Sequence, residues 1–127
     1  MARTQISPAV HPEAGPVVTK AAIRAADRLR VTARVLAAIL GVSEASISRM
    51  KRGEFALEPG TKPFELAVLF TRLFRSLDAI VGGDDAVATA WLTQPNLALA
   101  ARPIETIQSV SGLVDVIAYL DARRALV

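Results

Sequence analysis

The stretch Thr32–Gly53, TARVLAAILGVSEASISRMKRG, decides how this sequence is read. It holds two short helical patterns that meet at a glycine. Thr32 precedes the first, which runs through Val35, Leu36, Ile39 and Leu40, and its hydroxyl is of the kind that caps a helix N-terminus. Gly41 ends that helix, because a corner this tight takes the chain through positive φ, where a Cβ is unfavourable. Ser43 caps the second helix, expected from about Glu44 to Arg52, and Gly53 stops it. Val42 is a small apolar residue for the corner, Ala37 is small enough for the second helix to cross closely, and Ile47 and Met50 point inward as its anchors. Two helices joined at a steep angle in this way form a helix–turn–helix.

The outward residues of the second helix are then Glu44, Ala45, Ser46, Ser48, Arg49 and Arg52. Small side chains near its N-terminus let the backbone sit deep in a major groove. Arg49 is suited to bidentate contact with guanine, and Ala45 to a thymine methyl. Ser43, Ser46, Lys51 and Arg52 are placed for phosphates, which position a protein without specifying sequence. Glu44 either accepts from cytosine N4 or assists the helix start.

Working toward the N-terminus, Val18, Ala22, Ile23, Ala26 and Leu29 recur three or four positions apart and predict a helix from Val17 to about Arg30. Lys20, Arg24, Asp27 and Arg28 fall on its other faces. Residues 1–16 carry three prolines and a glycine and predict an extended arm. In the other direction, FELAVLFTRLFRSLDAIVGG places Phe64, Leu66, Val68, Leu69, Phe70, Leu73, Phe74, Leu77, Ile80 and Val81 around more than half of one long helix, so it is expected to be central. Asp84 and Asp85 open the next helix as caps. Pro95-Asn96 forces a turn, and Pro103 starts a helix reaching about Val110. Gly112 is expected to interrupt it before a last amphipathic helix that ends near Arg124.

Composition agrees with an all-α fold. The chain has 127 residues, of which 52% are hydrophobic, only 5% aromatic and 23 are alanine, a residue that favours helix and adds little to a sheet. The net charge of +3 is unevenly spread: residues 1–60 carry nine basic and five acidic groups, residues 61–127 six and seven. The basic half is the half with the helix–turn–helix, which favours an anionic polymer as partner there.

With no cysteine, the sequence has no disulfide framework, thiolate nucleophile or cysteine-based metal site. His11 is the only histidine, and no carboxylate and histidine stand at metal-ligand spacing, so neither an enzyme nor a cofactor is expected. The longest charge-free run, Ala86–Ala101, is too short for a membrane span, and the N-terminus does not read as a secretory signal. A cytoplasmic protein is expected.

The helix–turn–helix resembles the Xre or Cro/repressor class in Gly41-Val42-Ser43, in Ile47-Ser48-Arg49-Met50 and in Gly53. Downstream, AWLTQPNLALAARPIETIQSVSGLVDVIAYL resembles the Xre/MbcA/ParS antitoxin C-terminal domain, through Trp91-Leu92, Pro95-Asn96, Leu99, Pro103, Gly112, Val116 and Leu120. It departs from that pattern where Ala100 or Ala101 replaces a common glycine and Arg102 replaces small polar residues. With residues 1–16 as a proline-rich flexible arm, the resemblance implies 17–81 as an Xre-like helix–turn–helix domain and 82–127 as a small helical toxin-binding domain.

Functionally it implies a type II antitoxin that blocks a RES-domain, NAD-depleting toxin and represses their shared operon as a homodimer on operator DNA. Toxin contacts are then expected on the last two helices and the tail, with Tyr119, Arg123 and Arg124 foremost, since an aromatic and arginines on an apolar seam suit an interface. Arg123 and Arg124 also stand in a last helical turn, where cations offset the helix dipole. Trp91 reads as core and Asn96 as a turn residue bonding backbone. A stand-alone repressor and an adaptor without DNA binding are the alternatives.

Overall fold

Seven helices form among residues 13–126, the part of the chain that the computed structural model describes. They are α1 (Ala14–Leu29), α2 (Ala33–Leu40), α3 (Glu44–Lys51), α4 (Lys62–Ile80), α5 (Asp85–Thr93), α6 (Pro103–Thr106) and α7 (Val110–Arg124). The fold is all-α, with the helix–turn–helix toward the N-terminus and a helical unit after it.

The apolar breadth of α4 explains its place. Leu66, Ala67, Phe70, Leu73 and Leu77 are buried, and α4 packs against α1, α2, α5 and α7. Around it lie Ala22, Ala25, Ala26 and Leu29 of α1, Leu36 and Leu40 of α2, Ile47 of α3, Leu92 of α5, and Leu113, Val116 and Leu120 of α7, in one contiguous core. Four of the side chains from α1 and α2 in that core are alanines, counting Ala37, and their small size lets α1 and α2 approach closely.

The helix starts follow side-chain capping. Thr32 accepts from Val35 N, Ser43 from Ser46 N, Thr61 from Phe64 N and Ser109 from Gly112 N. At α5 the two aspartates divide their work: Asp84 alone caps, accepting from Ala86 N and Val87 N, while Asp85 turns to Arg28.

Two expectations are corrected. Helix α1 begins at Ala14, three residues before Val17, because Pro16 falls in the first turn, where its missing N–H has no intrahelical role. Gly15 is needed there, since a Cβ would press on the Leu57 carbonyl. The rest of the proline-rich arm, residues 1–12, lies outside the described residues. Gly112, for its part, does not interrupt a helix. It is the third residue of α7, which runs unbroken from Val110, and α6 is a single turn ending at Thr106.

Ala100, one of the two positions at which the resemblance leads one to expect a glycine, adopts φ +58°. Asn96 N donates to the Ala101 carbonyl at 3.0 Å and Asn96 Oδ1 accepts from Leu99 N at 3.1 Å, so the turn keeps its closure. An exposed L-residue held left-handed is strained. Ala100→Gly relieves that strain, and the methyl it removes is exposed to solvent. The substitution is expected to stabilise the chain by about 0.5–1 kcal/mol, read as a small rise in thermal midpoint.

Candidate nucleic-acid and toxin interfaces

The helix–turn–helix corner is held by backbone geometry. Gly41 sits at φ +72°, and both Gly41 N and Val42 N donate to the Ala37 carbonyl, at 2.8 and 3.1 Å. Ile47 is fully buried and Met50 nearly so, which fixes the rotation of α3 about its axis. That rotation leaves Glu44, Ala45, Ser48, Arg49, Lys51 and Arg52 exposed, with Ser46 half-buried.

Within this face, Arg49 is already positioned. Its Nη2 donates to Ser46 Oγ at 3.2 Å, and its guanidinium lies 5.1 Å from the centroid of the Phe55 ring. Ser46 Oγ also accepts from Ser43 Oγ at 3.0 Å, so a short hydroxyl chain links the helix cap to the arginine. Arg52 is engaged differently, with its Nε 3.1 Å from Glu54 Oε1. Phosphate binding by Arg52 therefore competes with an ion pair between two half-exposed side chains, which is worth at most about 1 kcal/mol.

Phe55 and Glu54 are the two participants that the helix pattern does not reveal. Both follow the stop at Gly53, outside the helical repeat. The one available signal is an aromatic and a carboxylate directly after a cation-rich helix end. Arg34, exposed in the first turn of α2, is a further cation that the pattern leaves unassigned.

At the other end of the molecule, α7 divides its residues between two faces. Asp121 accepts from Ser76 Oγ at 2.8 Å and from Arg72 Nη2 at 2.6 Å, binding α7 to α4. The buried Ser76 hydroxyl, and then the Arg72 guanidinium, hold the Asp121 carboxyl below the usual carboxylate range. Arg124 turns to the same side, with Nη1 3.5 Å from Ser76 Oγ.

Tyr119 and Arg123 belong to the other face. Arg123 Nη1 donates to the Tyr119 hydroxyl at 3.0 Å, and its guanidinium carbon is 5.8 Å from the ring centroid. Tyr119 in turn stacks on Trp91 of α5, with centroids 6.2 Å apart and planes at 19°. Trp91 is half-buried and packs against the core. Tyr119, Arg123 and Arg124 are thus not one cluster: the first two join Trp91, and Arg124 joins the α4 contact.

Residues 8–72 match the antitoxin Xre-like helix-turn-helix domain, and residues 76–125 match the antitoxin Xre/MbcA/ParS C-terminal toxin-binding domain. The first match covers half of the chain. The protein belongs to the Xre-like helix–turn–helix antitoxin family. No curated protein matches the chain. The two matched segments of the antitoxin meet inside α4, the first ending at Arg72 and the second starting at Ser76.

Ion pairs and a hydrogen bond join the antitoxin's two parts away from α4's core face. Arg28, at the end of α1, donates from Nε and Nη2 to Asp85 of α5 at 2.9–3.2 Å and from Nη2 to Asp78 of α4 at 3.0 Å, while stacking on Phe74 at 4.8 Å. Thr89 of α5 donates to the Leu29 carbonyl at 3.2 Å. The start of α5 is thereby fixed to the residues just before the helix–turn–helix. Among the described residues no group of histidines or carboxylates is arranged to hold a metal ion, and no helix is long and apolar enough to cross a membrane.

Proposed function

We propose that this antitoxin neutralises a RES-domain, NAD-depleting toxin and represses the operon that encodes both, acting by binding and not by catalysis. The observation that carries the DNA half is Arg49, held outward on α3 by Ser46 and Phe55 beside small residues at the helix start. In that reading α3 enters the major groove and the first turn of α2, with Arg34, crosses the backbone. Arg49 reads a guanine and Ala45 meets a thymine methyl, while Ser43, Ser46, Lys51 and Arg52 face phosphates, Ser48 lies outward on the same face, and Glu44 stands at the cytosine or the helix start.

A homodimer is part of the proposal, because one helix–turn–helix reads a half-site too short for useful specificity. The toxin-facing half is assigned to α5 and α7, with Tyr119 and Arg123 outward; Arg124 contributes by holding α7 on α4. The cytoplasm, where the operon and the NAD pool are both accessible, is the compartment in which these two activities coincide.

Coexpression with the neighbouring reading frame tests the toxin half. A purified complex and rescued growth are expected; no complex and no rescue overturn it. For the DNA half, Arg49→Ala is expected to weaken binding to the upstream operator by about 1–3 kcal/mol and to relax base preference at one position. Arg52→Ala is expected to lower the slope of log K against log salt by about one. Unchanged binding in both variants would assign the chain to an adaptor role.

A further inference from the structure

Within the toxin-binding segment the three arginines differ in what they face. Arg102 pairs with Glu105 at 2.6 Å. Arg124 is beside Asp121, whose carboxyl feels its charge. Arg123 has no carboxylate within ion-pair distance among the described residues, yet it is not left free to wander. The Tyr119 hydroxyl and ring hold it, and Trp91 supports the ring.

Holding a long cationic side chain in one place removes much of the rotamer entropy that a partner's carboxylate would otherwise have to overcome. Apolar surface adjoins the cation on the α5 side. Val87, one helical turn before Trp91 on the same face of α5, is 49% exposed. An aromatic pair, a positioned arginine and a nearby aliphatic side chain are the components of a protein interface hot spot.

We infer that Trp91, Tyr119 and Arg123 form a docking surface for an acidic segment of the protein partner, one in which a carboxylate reaches Arg123 while an adjoining apolar side chain covers Trp91 and Val87. This rests on the toxin-binding reading above and gives it a chemistry. A nucleic acid is held by a row of cations along its backbone, whereas this surface offers Arg123 alone, with Arg102 paired to Glu105 and Arg124 turned to Ser76, which suits a single carboxylate. The acidic residue of the same helix face, Asp115, lies two turns from Arg123 and does not pair with it.

Trp91 is the only tryptophan in the chain, so its emission reports on this surface alone. The full-length protein is titrated with a tryptophan-free peptide rich in Glu and Leu, and with the same peptide carrying Lys for Glu. The acidic peptide is expected to shift Trp91 emission saturably, Arg123→Glu to weaken its binding about tenfold or more, and Arg75→Glu, at an exposed position of α4, to leave it within about twofold. Equal responses to the two peptides overturn the inference. So does a response to duplex DNA alone, or one that follows protein concentration without peptide, which would indicate a second copy as occupant.

The same two variants are then tested in the complex with the protein from the neighbouring frame. A wild-type complex that Arg123→Glu leaves intact refutes the docking surface and spares the antitoxin reading. Peptide binding without any such complex does the reverse. Matching thermal midpoints for the variants separate weakened docking from impaired folding.

Discussion

Gly112→Ala is expected to destabilise the chain by about 3 kcal/mol, the upper end of what overpacking usually costs. The reason is local and geometric. A Cβ at position 112 would lie directly on the Thr106 carbonyl that ends α6, and 2.8 Å from Ser109 Oγ, the cap of α7. Neither neighbour can yield cheaply, since one is backbone and the other accepts from Gly112 N at 3.1 Å. Moving α7 away would disturb Leu113, Val116 and Leu120, all buried against α4. For a chain of this length the thermal midpoint should fall by roughly 10 °C or more. Ser111→Ala, one residue earlier and exposed, is the control, expected within about 0.5 kcal/mol of the parent. Equal midpoints for the two variants would show that α6 is free to move aside.

The contrast between Gly41 and Gly112 explains what the sequence could reveal about the fold. Gly41 is a helix end, and its meaning is written in its neighbours: a capped apolar repeat before it and a capping serine two residues after it. The corner, the caps and the burial of Ile47 and Met50 all follow from spacing within some twenty residues. Gly112 has its reason in another helix. A requirement for close approach leaves no trace in the local periodicity, so a glycine near a helix start reads as a break. The start of α1 is obscured in a similar way, because a proline tolerated in a first turn looks like one that forbids helix.

The site is legible to the same degree and for the same reason. The exposed side of α3 follows from which residues anchor it, so Arg49 and its neighbours are readable from periodicity. That Arg49 rests on Phe55, and that Arg52 pairs with Glu54, depends on how the chain folds back after Gly53. On α7, adjacent arginines look equivalent in sequence. A rotation of about 100° per residue sends Arg124 to Ser76 and Asp121 and leaves Arg123 with Tyr119. The Trp91–Tyr119 stack spans α5 and α7, and no local pattern encodes it.

Phe70→Ala is expected to have the largest effect, about 3–5 kcal/mol, and to remove DNA binding and toxin binding together. Phe70 is fully buried on α4, and it is the largest fully buried side chain of the core. Helix α4 packs against α1 and α2 on the helix–turn–helix side and against α5 and α7 on the other. A cavity there loosens both, and Arg28 and Thr89 tie the two sides at a second place. Domains of this size are held by only about 5–15 kcal/mol, so the loss is a large fraction of the whole. With a urea slope of about 2 kcal/mol per molar, the unfolding midpoint should fall by roughly 2 M. Because one core serves both parts, helicity and Trp91 emission are expected to be lost at the same midpoint in parent and variant alike. Helicity that falls in a first step while Trp91 keeps its native emission would show two independent units, with α4 remaining in the C-terminal one.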